Sequence, residues 1–294
     1  MKFPQVKKIG IVAPARKISQ AEIEPAVTIL KSWGLEVVLG KNLFGKNHQF
    51  SGTDEERITD FQMMINNPEI NAILCARGGY GSARIVDSLD FSPLQKYFKW
   101  ITGYSDITVL HNAMAKENLP SLHATMPINF LTNDSVSLTL LKEIFLNTKL
   151  PNYRFDAHPL NRAGMVKAPI VGGNLSVLYS LRGTRFDLDV SGKILFIEDL
   201  DEYLYHIDRM LLNFRLAGWF GKIKGLIVGG MEDMHDNIVP FGKTACEIVI
   251  DEVKDFDFPV AFINGIGHTK RNLPLILGMV STITVDETGT KIIY

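Results

Sequence analysis

From Ile9 to Met114, short apolar runs alternate with longer stretches of helical period, and this alternation constrains the fold more than any other feature of the chain. Ile9 to Ala13 is a strand closed by Pro14, and Glu22 to Trp33 is a helix with Ile23, Val27 and Leu30 on one face, ended by Gly34. Glu36 to Leu39 is a second strand. Thr53-Asp54-Glu55-Glu56 is a capping box opening a helix whose Ile58, Phe61 and Ile65 face inward, and Asn67-Pro68 stops it. Ala72 to Cys75 and Trp100 to Thr102 are further strands, and Ile107, Leu110 and Met114 follow at helical spacing. Alternating strands and helices predict a parallel sheet covered on both faces by helices. Ligands of such sheets bind beyond the carboxyl ends of the strands.

Ser135 to Leu146 is the last helix of this half. Pro151 to Lys167 has little periodicity and holds Pro151, Pro159 and Gly164, which marks residues 151–166 as a linker between an N-terminal domain, 1–150, and a C-terminal domain, 167–294. Two domains also suit 294 residues at about 150 each. Beyond the linker come strand Pro169 to Val171, the turn Gly172-Gly173-Asn174 and an apolar helix through Leu181. Strand Lys193 to Ile197 precedes helix Tyr205 to Leu216, which turns Ile207, Leu211 and Phe214 inward. Lys224 to Val228 is a strand, Thr244 to Val253 a helix, and Val260 to Ile263 a strand. Val280 to Val285 and Lys291 to Tyr294, joined at Glu287-Thr288-Gly289, form a hairpin. The fold class expected is therefore α/β, a helix-flanked parallel sheet followed by a smaller mixed β/α domain.

Charge gives no reason to expect a nucleic acid or an anionic membrane as partner, since the net charge is −1 with 21% charged residues. Met1 to Lys8 lacks the apolar run and cleavage site of a signal peptide, and no run approaches membrane-spanning length. Cys75 and Cys246 lie in different halves and form no metal-type pair, so a reduced, cytoplasmic protein is expected.

Ser105, in Gly103-Tyr104-Ser105-Asp106, sits where a strand turns into a helix. A hydroxyl projects there beside the free N–H groups of a helix start, an arrangement that suits a nucleophile, although a serine at that position is more commonly a plain cap. Serine needs a base, and histidine is the usual one. His48, His158 and His235 lie in polar or linker segments, His206 on a helix surface, and His111 on the turned-away side of the helix after Ser105. Spacing leaves two histidines open: His268, flanked by Gly265 and Gly267 after strand Val260 to Ile263, and His123, after another strand of the first half. A carboxylate orients such a base. Glu198 is the first polar residue after an apolar strand, and Asp199, Asp201 and Glu202 compete with it; the bland reading is a solvated helix N-terminus. In Arg77-Gly78-Gly79-Tyr80-Gly81 the glycines begin like a dinucleotide fingerprint, but Arg84 stands where its last small residue belongs. Backbone N–H groups at Gly79 and Asp106 could instead form an oxyanion hole.

Taken in order, Ile11-Val12-Ala13-Pro14-Ala15, Arg77-Gly78-Gly79-Tyr80-Gly81, Gly103-Tyr104-Ser105-Asp106, Gly172-Gly173-Asn174-Leu175, Ile197-Glu198-Asp199 with Ile207-Asp208-Arg209, and Gly267-His268 resemble the LD-carboxypeptidases, the muramoyltetrapeptide carboxypeptidase family of serine peptidases. The resemblance implies a triad of Ser105 as nucleophile, His268 as base and Glu198 as orienting acid, set between two domains and commonly in a homodimer. It implies cleavage of an L,D peptide bond in a murein tetrapeptide with release of D-alanine, without metal or organic cofactor. Many relatives read His-Gly-Pro where this chain has His123-Ala124-Thr125-Met126-Pro127. Recognition of a terminal carboxylate requires a cation, for which Arg77 and Arg209 are candidates. Two other readings compete: a microcin-type immunity peptidase, and a non-catalytic two-lobed binding protein.

Overall fold

The structure is a computed structural model that describes residues 3–147 and 150–294. In the first half, β1 (Lys8–Val12), α1 (Gln20–Ser32), β2 (Glu36–Leu39), α2 (Asp54–Asn66) and β3 (Ala72–Cys75) alternate as the periodicity predicts. Both long helices open on capping boxes, Ser19 with Glu22 and Thr53 with Glu56. Two single-turn helices, α3 (Ser82–Ile85) and α4 (Pro93–Lys96), precede β4 (Trp100–Gly103), α5 (Thr108–Lys116), β5 (Ser121–His123) and α6 (Ser135–Asn147).

The first sheet has the order β2-β1-β3-β4-β5, all parallel. Strands β1, β3, β4 and β5 are buried on both faces, while the edge strand β2 is partly exposed. Ile9, Ile11, Leu74, Trp100 and Leu122 pack under α1 and α6, while Val12, Ile73, Cys75 and Ile101 pack under α2 and α5. This two-sided burial is why the strands read as unbroken apolar runs. The edge beyond β5 is closed by a strand from the far end of the chain, β11 (Leu275–Leu277), with Leu275 opposite His123.

The second half contains β6 (Tyr153–Phe155), β7 (Gly164–Asn174), α7 (Leu175–Ser180), β8 (Ile194–Leu200), α8 (Leu204–Leu216), β9 (Gly225–Glu232), α9 (Ala245–Glu252) and β10 (Val260–Phe262). After β11 the chain ends in the hairpin of β12 (Val280–Asp286) and β13 (Gly289–Ile293). The second sheet runs β10-β9-β8-β7-β12-β13-β6, parallel through the first four and antiparallel through the last. Ile207, Leu211 and Phe214 of α8 are fully buried against it, on the face their spacing selects.

Four local features differ from the sequence expectation. Gly172-Gly173-Asn174, expected as a turn, continues strand β7, because its backbone stays paired with β8 as far as Glu198. The stretch expected as linker contributes β6, paired with β13, and the first residues of β7; a run as short as Tyr153-Arg154-Phe155 shows no period. Strand β8 continues past Ile197, so Glu198 and Asp199 lie inside it and are buried rather than solvated at a helix start. The chain turns only at Asp201, with a left-handed φ of 61°. Finally, β11 leaves the second half to join the first sheet, so the C-terminal segment carrying residue 268 is fastened beside β5.

Candidate active site

Strand β4 ends in Gly103, whose φ is 159° and whose missing side chain leaves room for Ile107; a Cβ there would lie 2.8 Å from Ile107 Cγ1. Tyr104 is extended, and Ser105 takes φ 64° before a 3₁₀ turn, Ser105–Ile107, runs into α5. A left-handed serine is disfavoured by roughly 1–3 kcal/mol, and such strain persists only where the surroundings over-determine it. The surroundings here are tight. A Cβ on Gly78 would lie 3.2 Å from Ser105 Cβ and 3.5 Å from Asp106 N, so the glycine loop is pressed against the serine corner. The Asp106 carboxylate is buried and accepts from Ser82 N–H at 2.8 Å. Burial pushes its carboxyl above the usual carboxylate range even though that bond opposes the rise. A carboxylate thus occupies the N-terminus of α3, where the phosphate of a dinucleotide would have to lie.

Glu198 projects from β8 into a fully buried position. Its Oε2 accepts from the His268 ring at Nδ1, 2.7 Å away, and from the His268 backbone N–H at 3.3 Å. Two glycines make the approach possible. A Cβ on Gly267, at φ 108°, would lie 2.7 Å from Glu198 Oε2, and one on Gly229 would lie 3.2 Å from Glu198 Cβ. Asn272 Oδ1 holds the Gly267 N–H at 3.0 Å and fixes the loop. Burial, the largest single influence, would raise the Glu198 carboxyl, but the charge of His268, its hydrogen bond and the neighbouring His123 imidazole together outweigh it and hold the group at about 2. Burial lowers His268, and the carboxylate outweighs that too, leaving the imidazole above its ordinary 6.5. Each group keeps the other charged.

The opposite side of the His268 ring meets Tyr104 edge-on, with centroids 4.8 Å apart, so the imidazole is seated against the residue preceding Ser105. Ser105 Oγ and the His268 ring are not hydrogen-bonded to each other. His123, the other histidine left open by spacing, is buried behind the carboxylate. Its Nε2 is 3.7 Å from Glu198 Oε1, beyond hydrogen-bond distance, and its ring stands edge-on to Phe196. His111 bridges Ser121 Oγ and Gly103 O, and burial lowers it to about 3. His206 bonds Glu202, His235 contacts Asp201, and His158 stacks on Phe262.

The C-terminal end of β7, Gly172-Gly173-Asn174, joins the two halves. Asn174 N–H donates to Thr108 Oγ1 at 2.9 Å on the first turn of α5, and a Cβ on Gly173 would lie 2.4 Å from that oxygen. Asn174 Nδ2 donates to Asp199 at 2.8 Å, and Ser176 N–H to the same carboxylate at 2.9 Å. Burial, with the neighbouring Glu198 charge, pushes Asp199 up to about 7. A strand end with no chemistry of its own therefore ties the helix behind the serine to the strand carrying the carboxylate.

Of the candidate cations, Arg77 turns toward α1, donating to Lys17 O at 3.2 Å and lying 3.8 Å from Glu22. Arg209 lies over the Tyr205 ring on the exposed side of α8. Sequence reasoning passed over Arg16, whose side chain crosses Gly79: a Cβ on that glycine, at φ 105°, would lie 2.5 Å from Arg16 Cδ. Its only sequence signal was its place just past β1, beyond Ala13-Pro14-Ala15. His268 also borders a cleft of about 900 Å³ lined by Asp134, Arg154, Asp156, Glu232 and Lys270. Among the described residues no cluster of His, Cys, Asp and Glu side chains could hold a metal ion, and no helix is long and apolar enough to cross a membrane.

Replacing Gly267 by alanine is expected to destabilise the protein by about 2 kcal/mol and to lower turnover, because the new methyl displaces the Glu198 carboxylate from His268. Denaturant midpoints and steady-state rates check this; an alanine variant with unchanged activity would show that the 198–268 contact is dispensable.

Comparison with known proteins gives concordant matches to both halves. The family profile of the LD-carboxypeptidase N-terminal domain matches residues 9–124, and that of the LD-carboxypeptidase C-terminal domain matches residues 167–283. A probable murein peptide carboxypeptidase of Bacillus subtilis (strain 168) is 34% identical over 289 residues, covering 95% of this chain and 89% of the relative. The crystal structure of muramoyltetrapeptide carboxypeptidase from Oxalobacter formigenes matches with a TM-score of 0.87 at 27% identity, covering 97% of this chain and 98% of that one. The microcin C7 self-immunity protein MccF, solved with aspartyl sulfamoyl adenosine, shares the fold with a TM-score of 0.87 at 22% identity, over 100% of this chain and 97% of that one.

Proposed function

The chain belongs to the LD-carboxypeptidase family, and from that premise we propose that it is a serine carboxypeptidase releasing C-terminal D-alanine from murein tetrapeptides. The observation that carries the reading is a fully buried carboxylate, Glu198, bonded at 2.7 Å to an imidazole seated against a strained serine corner. Names given to relatives support the murein substrate.

In this mechanism His268 takes the Ser105 proton at Nε2 as Oγ attacks the carbonyl of the L-configured residue. Glu198 keeps the proton on Nδ1 and stabilises the imidazolium that forms. The backbone N–H groups of Gly79 and Asp106 receive the developing oxyanion, each worth about 3 kcal/mol in comparable acyl-transfer sites. His268 then protonates the leaving amine of D-alanine, and water, deprotonated by the same imidazole, releases the acyl group. With His268 Nδ1 held by Glu198, Nε2 is the nitrogen left for Ser105, and in many such sites that bond forms only with substrate bound.

The base must be neutral to accept a proton, and Glu198 raises its pKa. Activity should therefore fall as pH drops through a value above 6.5, the ordinary imidazole figure. A kcat/KM profile with its acid limb below 6.5 would contradict the assignment of His268. For the substrate, the purified protein is incubated with a murein tetrapeptide and, separately, with aspartyl sulfamoyl adenosine, and the products are weighed by mass spectrometry. Loss of one alanine from the tetrapeptide supports the reading. An untouched tetrapeptide with hydrolysis of the adenosine compound would replace it with an immunity peptidase, and no turnover of either would leave a binding protein.

A further inference from the structure

A carboxypeptidase of this kind must recognise a carboxylate only a few bonds beyond the scissile carbonyl, so the recognising cation has to stand beside the nucleophile. The arginines near the Gly78-Gly79 loop differ in how fully they are engaged. Arg57 is buried and held by Asp54, Pro14 O and Gly81 O. Arg84 grips Asp54 through two nitrogens, at 3.1 and 2.6 Å. Arg77 is turned to Glu22 and Lys17 O. Arg16 is exposed, and among the described residues it forms no ion pair.

The backbone of Arg16 is nevertheless fixed. Its N–H points to Gly78 O at 3.4 Å, it bridges to Phe50, and the next residue, Lys17, donates to Gln49 O at 2.9 Å. Its side chain runs across Gly79 in space that any Cβ would occupy, 2.5 Å from Cδ and 2.7 Å from Nε. Gly78, one residue back, is the glycine pressed against Ser105. We infer that Arg16 is the specificity-determining cation, receiving the terminal carboxylate of the departing residue through a charge-assisted, bidentate pair while Gly79 leaves room for its stem. The inference rests on the carboxypeptidase reading and deepens it, since it names the group that restricts the enzyme to free C-termini. A guanidinium without a carboxylate of its own is available to a ligand's, and its planar fork fits that ligand.

The test compares a murein tetrapeptide bearing a free C-terminal carboxylate with the same peptide as its C-terminal amide. Wild-type protein, Arg16→Gln and Arg16→Lys are assayed for turnover, and Ser105→Ala with and without Arg16→Gln is assayed for binding by calorimetry. Arg16→Gln is expected to lower kcat/KM for the acid about 10- to 100-fold, to leave the amide nearly unchanged, and to weaken binding of the acid alone. Arg16→Lys should recover part of the preference, since it restores charge without the fork. Wild-type turnover with an acid-to-amide preference that survives in Arg16→Gln would overturn the inference while leaving the carboxypeptidase reading intact. Failure of the Ser105→Ala protein to bind the tetrapeptide at all would overturn both.

Discussion

Replacing Ser105 by glycine is expected to abolish turnover and at the same time make the protein more stable. The φ of 64° at this position is comfortable for glycine and costly for serine, and the hydroxyl makes no hydrogen bond that its removal would break. Relief of strain should raise the unfolding free energy by about 1 kcal/mol and the melting temperature by about 2 °C, even after allowing for glycine's freer unfolded chain. The loss of the nucleophile should lower kcat by at least about 10⁴-fold, as for other triads that lose one member. Ser105→Ala serves as the companion: it loses activity equally but keeps the strain, so its stability should stay near the parent's. Melting curves and rates on the three proteins decide the matter. Residual activity of a tenth of the parent in either variant would remove the serine mechanism, and a glycine variant less stable than the alanine one would remove the strain argument.

Glu198→Gln changes few atoms and is expected to cost on the order of 10⁴-fold in kcat. The amide is nearly isosteric with the carboxylate, so the glycine cradle of Gly229 and Gly267 still accepts it. It cannot stabilise the imidazolium, and it can offer an N–H where His268 Nδ1 needs an acceptor. The pH profile supplies an independent sign. The carboxylate raises the His268 pKa, so its removal should shift the acid limb of any residual activity downward while burial continues to depress the imidazole. Stability is linked as well. Folding depresses the Glu198 carboxyl from 4.5 to about 2, so its contribution is present above 4.5 and is lost as pH falls toward 2. The parent should therefore lose stability over that window by more than the glutamine variant does, which acid titrations monitored by circular dichroism would show. Equal acid sensitivity in the two proteins would mean that the buried charge is not what the low-pH limb reports.

Much of the scaffold was legible because its causes are local. The capping box at Thr53 and Glu56 closes within one turn of chain, and the two-sided burial of β1, β3 and β4 writes itself as short apolar runs. Ser105 was legible as a corner because Gly103 and the helical spacing after it lie within a few residues. Less was legible where the cause is distant. Glu198 was legible as the leading carboxylate because it directly follows an apolar strand, but nothing nearby separates it from a solvated helix start, since the partners that satisfy Glu198 and Asp199, His268 and Asn174, lie far along the chain. Strand β11 was invisible because three residues carry no period and its partner, β5, lies about 150 residues earlier in the chain. Arg16 was passed over because its importance depends on lying across Gly79, far along the sequence.

Local interaction and burial, both short-ranged along the chain, suffice to fix the helices, strands and turns, and so the sequence by itself determined the alternating α/β scaffold and the corner that carries Ser105. Spacing left the imidazoles at 268 and 123 open and only a family resemblance favoured 268; it is the tertiary structure that bonds the carboxylate at 198 to 268 and lays the guanidinium at 16 by the glycine loop. Those pairings depend on how sheets and helices pack, through a parallel sheet closed by a strand from the other half, and periodicity carries no record of distances between elements that meet only on folding.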